Sequence, residues 1–485
     1  MRYLLIALTA FITCHVSAVT IYDNNCRNAL SAIISLKPSD AKYSLQQEKT
    51  SNPSNLYIPY LENYLNFIQV VVTEEKNHLD NYNDNFEILV NKIKATTEIT
   101  PYKKYMLAEL FLQCSVVKAK FNERLTSAKY FLKSQQYISE NIKKYPNFKP
   151  NLRISGILTL VNNSLPPLLR YFLPPTPSCS DGFADLELFS DFASKDSVQS
   201  LECHILISLA LLQFNSNNDN ALKYILKIDA DANPLFRLAK TLILVRAGKS
   251  AEARNLLEKK TQSLNEIPIA FFNYLSGEIA LNTQQSTNGK LEQFLAEYKG
   301  CNYIKSAWLK LGWYYYLNGD QKKYEYCLKN LQAKGVDWVE ADKQAVWEAA
   351  NNTFPNKYLL KSRLLFDGGS YSNARIVLET NTAIASLKSD DQRLEYYYRL
   401  ARIYHALNNY SKAILFYKYA FNQGKNKSNY FAANAALQLG NIALLTGNKK
   451  DARIYFKSCI AMKQTGYAAS IHAKAQEGLR KCMVN

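Results

Sequence analysis

The sequence predicts an all-α fold, a solenoid of antiparallel helix pairs. Three observations carry that expectation. In two consecutive stretches, Tyr397–Ala420 and Ala436–Cys459, small residues (Ala401 and Ala413, then Gly440 and Ala452) stand three or four places from large apolar ones. That spacing gives each helix one apolar face and one point of close crossing. The small residues Ser362, Ala401 and Gly440 recur every 39 residues, which is the mark of a stacked repeat. The whole chain has only 16 Gly and 14 Pro in 485 residues, too few for a protein built on β-turns, and its 34 Tyr suit the interfaces between stacked helices.

The chain begins with a processing signal. Arg2 is a positive n-region, Leu4 to Ile12 an apolar stretch, and Val16-Ser17-Ala18 a cleavage site of small residues. Cleavage after Ala18 is expected, with Val19 first in the mature chain. Cys14 raises the alternative of a lipoprotein, but Thr13 is bulkier than the residue that signal prefers. Beyond the signal no run of 18 apolar residues occurs, so no transmembrane helix is expected. The destination is exported: periplasm or outer-membrane-associated in a bacterium, the secretory pathway otherwise.

Residues 19–161 read as an amino-terminal helical lobe. Cys26 to Leu36 forms a helix with Ala29, Ile33 and Leu36 on one face, and Lys37-Pro38 breaks it. Tyr60 to Leu79 reads as one long helix, followed by another from Phe86. Pro101 opens the next at its first turn. Phe121 to Tyr145 is periodic, with Leu125, Ala128, Phe131, Leu132 and Ile138 as its apolar stripe. Residues 162–182 hold five prolines around Leu168 to Leu173 and read as a linker that cannot continue helix pairs.

Residues 183–485 read as the main array. Pairs resume at Val198 and sharpen at Leu244, Gly248 and Ala253. Trp308, Leu311, Gly312 and Tyr315 form the pattern W-x2-L-G-x2-Y, with Tyr324 where a small residue is expected, which suggests a loosened crossing. An extra helix is inserted around Trp338 to Ala350. The pattern returns at Ser362 and Ala374, then at Ala401 and Ala413, then at Gly440 and Ala452, and the last helix suits a cap. These residues resemble the tetratricopeptide-repeat family, well over 305–460, more weakly over 198–304, and with degenerate copies before 160. With its signal the chain is similar to repeat proteins of bacterial envelopes. The resemblance implies an α-solenoid that binds proteins and no particular activity.

The formal charge is +18. Lysines are spread along the chain instead of clustered, which with the export signal argues against nucleic acid and leaves peripheral membrane association open. The eight cysteines after the signal have no paired spacing, and Cys203-His204 lie about 100° apart on a helix, so neither a disulfide framework nor a metal site is expected. No nucleophile or phosphate-loop motif occurs, so neither an enzyme nor a cofactor is predicted.

The concave face remains as the candidate site. Residues just outside the packing set point into it: Arg363, Tyr398, Arg402, His405, Asn434 and Asn441. Their charge-assisted and amide hydrogen bonds suit a protein partner carrying carboxylates. The expected function is a non-catalytic scaffold that holds a partner segment in this groove. The alternative is an exported ligand-binding protein, for example for glycans, in which Trp338 and Trp347 would flank a cleft.

Overall fold

The computed structural model describes residues 21–97, 99–165, 181–215, 218–259, 265–350, 354–463 and 468–483. The signal, Cys14 and most of the proline-rich stretch lie outside these residues. All of the regular structure among them is α-helix, in 25 segments that follow one another in antiparallel pairs. Eleven pairs run from Asn24–Ile34 with Pro38–Ser51 to Phe431–Leu445 with Lys449–Ala461. Helices Glu340–Ala350 and Asn381–Ala385 are inserted between pairs, and Ala468–Lys481 closes the end. The all-α solenoid expected from the sequence is what the chain forms.

Local chemistry explains where the helices start and turn. Pro101 sits at the first turn of Pro101–Lys120, where its missing N–H costs nothing. Asn356 accepts from the N–H groups of Tyr358 and Leu359 at the start of Lys357–Asp367. The turns between paired helices require a left-handed residue, supplied by Gly369 (φ 85°) and Gly447 (φ 79°), and by Asn408 (φ 58°) in the pair between them.

The crossings are as close as the small residues imply. Ala374, Ala401, Ala413 and Ala452 are fully buried. A Cβ on Gly440 would lie 2.5 Å from the Phe456 ring, and one on Gly478 of the closing helix 2.4 Å from the same ring. Tyr324 does not loosen its crossing. Its ring lies 3.2 Å from where a Gly312 Cβ would be, so the bulk on one helix fills the space the other leaves. Trp308 and Leu311 are buried in the same cluster, and Tyr315, half-buried against it, donates to Glu292 at 2.9 Å.

Several readings of the amino-terminal half are corrected. Tyr60 to Leu79 is two helices, Tyr57–Thr73 and Lys76–Ala95, broken at Glu74, which is left-handed at φ 54°. Pro38 opens a helix as well as ending the turn before it. Leu125 is 89% exposed, because the buried face of Arg124–Lys144 is set by Ser134, Gln135, Ile138 and Asn141. Ser197–Phe214 is long and apolar enough to cross a membrane by length and composition. Its Glu202 is buried in an ion pair, and the helix packs among its neighbours, as the core helix of a folded domain does.

The two halves are joined by buried polar contacts. Helix Asn151–Ser164 packs on Gly182–Ala193, with Gly156 and Gly182 at backbone contact. The amino-terminal apolar cluster also takes in Val198 and Ile269. Arg153 reaches Glu109 at 2.9 Å and Glu202 at 2.6 Å, and the hydroxyls of Tyr60 and Tyr64 donate to the same two carboxylates. Buried Glu74 pairs with Lys120 at 2.7 Å and accepts from the Asn302 side chain at 2.8 Å. Burial works to raise the Glu74 carboxyl, but Lys120 and Asn302 outweigh it and hold it below its ordinary value. Seven cysteines are free thiols, six of them buried, and Cys179 lies outside the described residues.

Candidate binding cavity

First helices of several pairs, together with the inserted and closing helices, line a recess of about 750 Å³, to which residues from Asn218 to Lys474 contribute. Tight curvature encloses it. The turn at Gly369 meets the turn at Gly248, and Gly368 meets the Asn282 carbonyl, with no room for a Cβ at either glycine. The inserted helix Glu340–Ala350 walls one side. Its Asp342, fully buried, accepts from the Tyr303 N–H at 2.6 Å and the Ser306 N–H at 2.8 Å, capping the next-door helix Ile304–Leu317. Burial pushes the Asp342 carboxyl up to about 6, although those N–H groups and Lys310 oppose the shift.

Charged groups of both signs stand on the lining. Lys310 faces Glu278 at 3.4 Å and lies over the rings of Tyr274 and Trp313. Arg363 makes two bonds to Glu348, at 2.8 and 3.0 Å, and stacks on Trp313. Burial works against its charge, but Glu348, Tyr430 and Asp367 outweigh that and raise its pKa above the usual value. Five basic and five acidic residues line the recess, so it is balanced in a chain whose net charge is +18.

Arg402 differs from its neighbours. Its guanidinium lies 4.1 Å over the Phe366 ring, while its ionic partner among the described residues, Asp367, is 3.8 Å away and beyond hydrogen-bond range. Its side chain keeps 31% of its surface accessible on the recess lining. Among the described residues its donors meet no hydrogen-bond acceptor.

Of the six residues expected on the concave face, the lining includes Arg363, Tyr398, Arg402 and Asn434. Tyr398 is only 1% exposed, and its hydroxyl accepts from Asn434 at 2.7 Å, so its ring is not open for stacking. His405 is outside the lining, packed edge-on against Tyr410 and Tyr417, and burial lowers its pKa. Asn441 is exposed beyond the rim and bonds Gln438. Trp338 and Trp347 are half-buried and outside the lining. Trp313, one of the rings that line the recess, was legible in the sequence as the residue after Gly312, the register that holds Arg363 and Arg402 in later pairs. Glu348 and Asp367 had no such signal, because their role comes from the partner across the recess.

A cluster of Asp23, Cys26 and Glu48 brings three potential metal-ligating atoms within 4.8 Å of one another. The side-chain amides of Asn25 and Asn55 bond Glu48 at 3.2 and 2.7 Å, and burial pushes the Cys26 thiol far above its ordinary range. That favours the neutral thiol, not the thiolate a metal takes.

No family model matches the chain, and no curated protein matches it. Two solved structures are similar in outline. One is the crystal structure of Rap protein complexed with competence and sporulation factor, 11% identical, at a TM-score of 0.31 over 83% of this chain and 96% of that one. The other is the APC/C hetero-tetramer Cut9-Hcn1, 11% identical, at a TM-score of 0.23 over 96% of this chain and 97% of that one. Neither likeness is close enough to carry an argument about this chain.

Proposed function

We propose that this protein is a non-catalytic scaffold of an exported compartment that binds a segment of a partner protein in the concave recess. The observation that carries this is Arg402: a stacked guanidinium on the lining whose donors meet no acceptor among the described residues, while Lys310 and Arg363 on the same lining are paired with Glu278 and Glu348. The recess then selects a segment bearing a single carboxylate. A run of acidic residues gains nothing from a lining with no net charge. Asn434 and Gln438 on the same lining, which bond each other at 3.3 Å, could exchange that bond for one to a backbone amide of the segment. The signal-like residues 1–18 support the exported setting, and mass analysis of the exported protein should find Val19 first.

The glycan reading loses the platform expected for it. Trp338 and Trp347 are elsewhere, and Arg363 and Arg402 cover the faces of Trp313 and Phe366. The test is retention of envelope proteins by the immobilised full chain. Arg402→Ala should weaken capture by about 2 kcal/mol, roughly thirtyfold in Kd. Its melting temperature should stay close to the parent's, since the lost stacking amounts to about 1 kcal/mol or less. Undiminished capture by Arg402→Ala would remove the recess from the account.

A further inference from the structure

The second helices of the last three regular pairs, Tyr371–Glu379, Tyr410–Gly424 and Lys449–Ala461, face away from the recess. Apart from Tyr371, none of their residues lines it. Two residues after the buried alanine of each helix stands a large aliphatic side chain that is open to solvent. Ile376 is 55% exposed, Leu415 46% and Ile454 53%. They recur every 39 residues, and equivalent positions on stacked pairs form a row. Single exposed apolar residues are ordinary on any protein surface. A row kept in register through three repeats is not. Exposed isoleucine also helps a helix less than alanine or lysine would, and here it gains only partial burial in return. Folding supplies no reason for the row.

The charge around the row is mostly positive. These three helices carry seven Lys or Arg residues against two acidic ones, Glu379 and Asp451. Lys418 stands one turn from Leu415, and Lys450 and Lys457 one turn either side of Ile454. All three are exposed, and among the described residues none has a carboxylate in ion-pair contact.

We propose that this outer row docks the protein on an anionic lipid surface, with Ile376, Leu415 and Ile454 entering the interface and the lysines meeting headgroup phosphates. Apolar anchors combined with basic residues give the two signals that stable peripheral binding requires. A second copy of the chain would set like charge against like charge. A partner protein would need a separate pocket for each anchor, whereas a fluid interface needs none. The row lies on the opposite side from the recess and does not depend on what the recess holds.

The test is sedimentation of the full chain with vesicles, either of phosphatidylcholine alone or with about a third phosphatidylglycerol, the surface charge that draws basic segments. The parent should sediment with the anionic vesicles, and added salt should release it. Two triple variants should each lower the partition about tenfold or more: Ile376→Ser with Leu415→Ser and Ile454→Ser, and Lys418→Glu with Lys450→Glu and Lys457→Glu. The lysine variant touches exposed side chains only, so it decides the matter if the serine variant melts early. Parent protein left in the supernatant with anionic vesicles would overturn the proposal. So would equal binding to neutral vesicles, or lysine-variant binding equal to the parent's. A parent dimer in light scattering that the serine variant dissolves would instead make the row an interface between copies.

Discussion

Gly440→Ala adds one methyl group, and the structure says where it goes. A Cβ there would lie 2.5 Å from Phe456 Cε1, 2.7 Å from Cδ1 and 3.0 Å from Cζ, against an ordinary carbon contact of about 3.5–4.0 Å. The Phe456 ring is fully buried and cannot retreat, because Gly478 holds it from the other side, where a Cβ would be 2.4 Å from Cζ. The helices must therefore separate, at a cost of roughly 1–3 kcal/mol. Neighbouring pairs in a solenoid share stability only with those they touch, so the loss should fall on residues 431–481. Hydrogen exchange during a thermal ramp would show that end opening first, while Lys449→Leu on the exposed turn changes little. A second substitution makes the argument sharper. Phe456→Leu alone should cost about 1–2 kcal/mol in lost packing, yet combined with Gly440→Ala it removes the clash, so the double variant should be more stable than the sum by about 1 kcal/mol. Parent-like melting of Gly440→Ala, or strict additivity, would refute the clamp.

Arg153→Met leaves the buried carboxylates of Glu109 and Glu202 without a cation and should destabilise the protein by about 3–5 kcal/mol at neutral pH. Urea titration at pH 7 checks this, and a variant as stable as the parent would contradict it. Asp342 holds its proton to about pH 6, above its ordinary value of 3.8, so the folded state binds more protons than the unfolded chain between those values and this group's contribution falls as pH rises through that window. The melting temperature of the parent, measured against Asp342→Asn, should therefore decline from pH 4 to pH 6.5, and a difference independent of pH would contradict it.

The sequence showed the parts of the fold that rest on neighbours at fixed spacing. The 39-residue recurrence, Gly312, Ala401 and Gly440 all sit where close crossings put them. Contacts between distant residues left no local trace. Glu74 is the case in point: nothing in Thr73-Glu74-Glu75 signals a break, and the left-handed turn is held by Lys120 and Asn302, far along the chain. Likewise Leu125 fits a helical stripe by period but faces water, since the buried face of its helix is bonded through polar residues such as Ser134 and Asn141. At the recess the register after each small residue located Arg363 and Arg402. It did not show that Glu348 neutralises the first and leaves the second open, because Glu348 belongs to an inserted helix outside the repeat.

The central claim is that a partner segment occupies the recess. A photo-reactive amino acid in place of Gln438, beside Arg402 on the lining, tests it most directly. Irradiated in the cell that produces it, that protein should form a covalent adduct with one partner, and Arg402→Ala in the same chain should abolish it. The same amino acid in place of exposed Tyr326, on a second helix, should give no such adduct. An adduct that forms equally at Tyr326, or that survives Arg402→Ala, would contradict the claim.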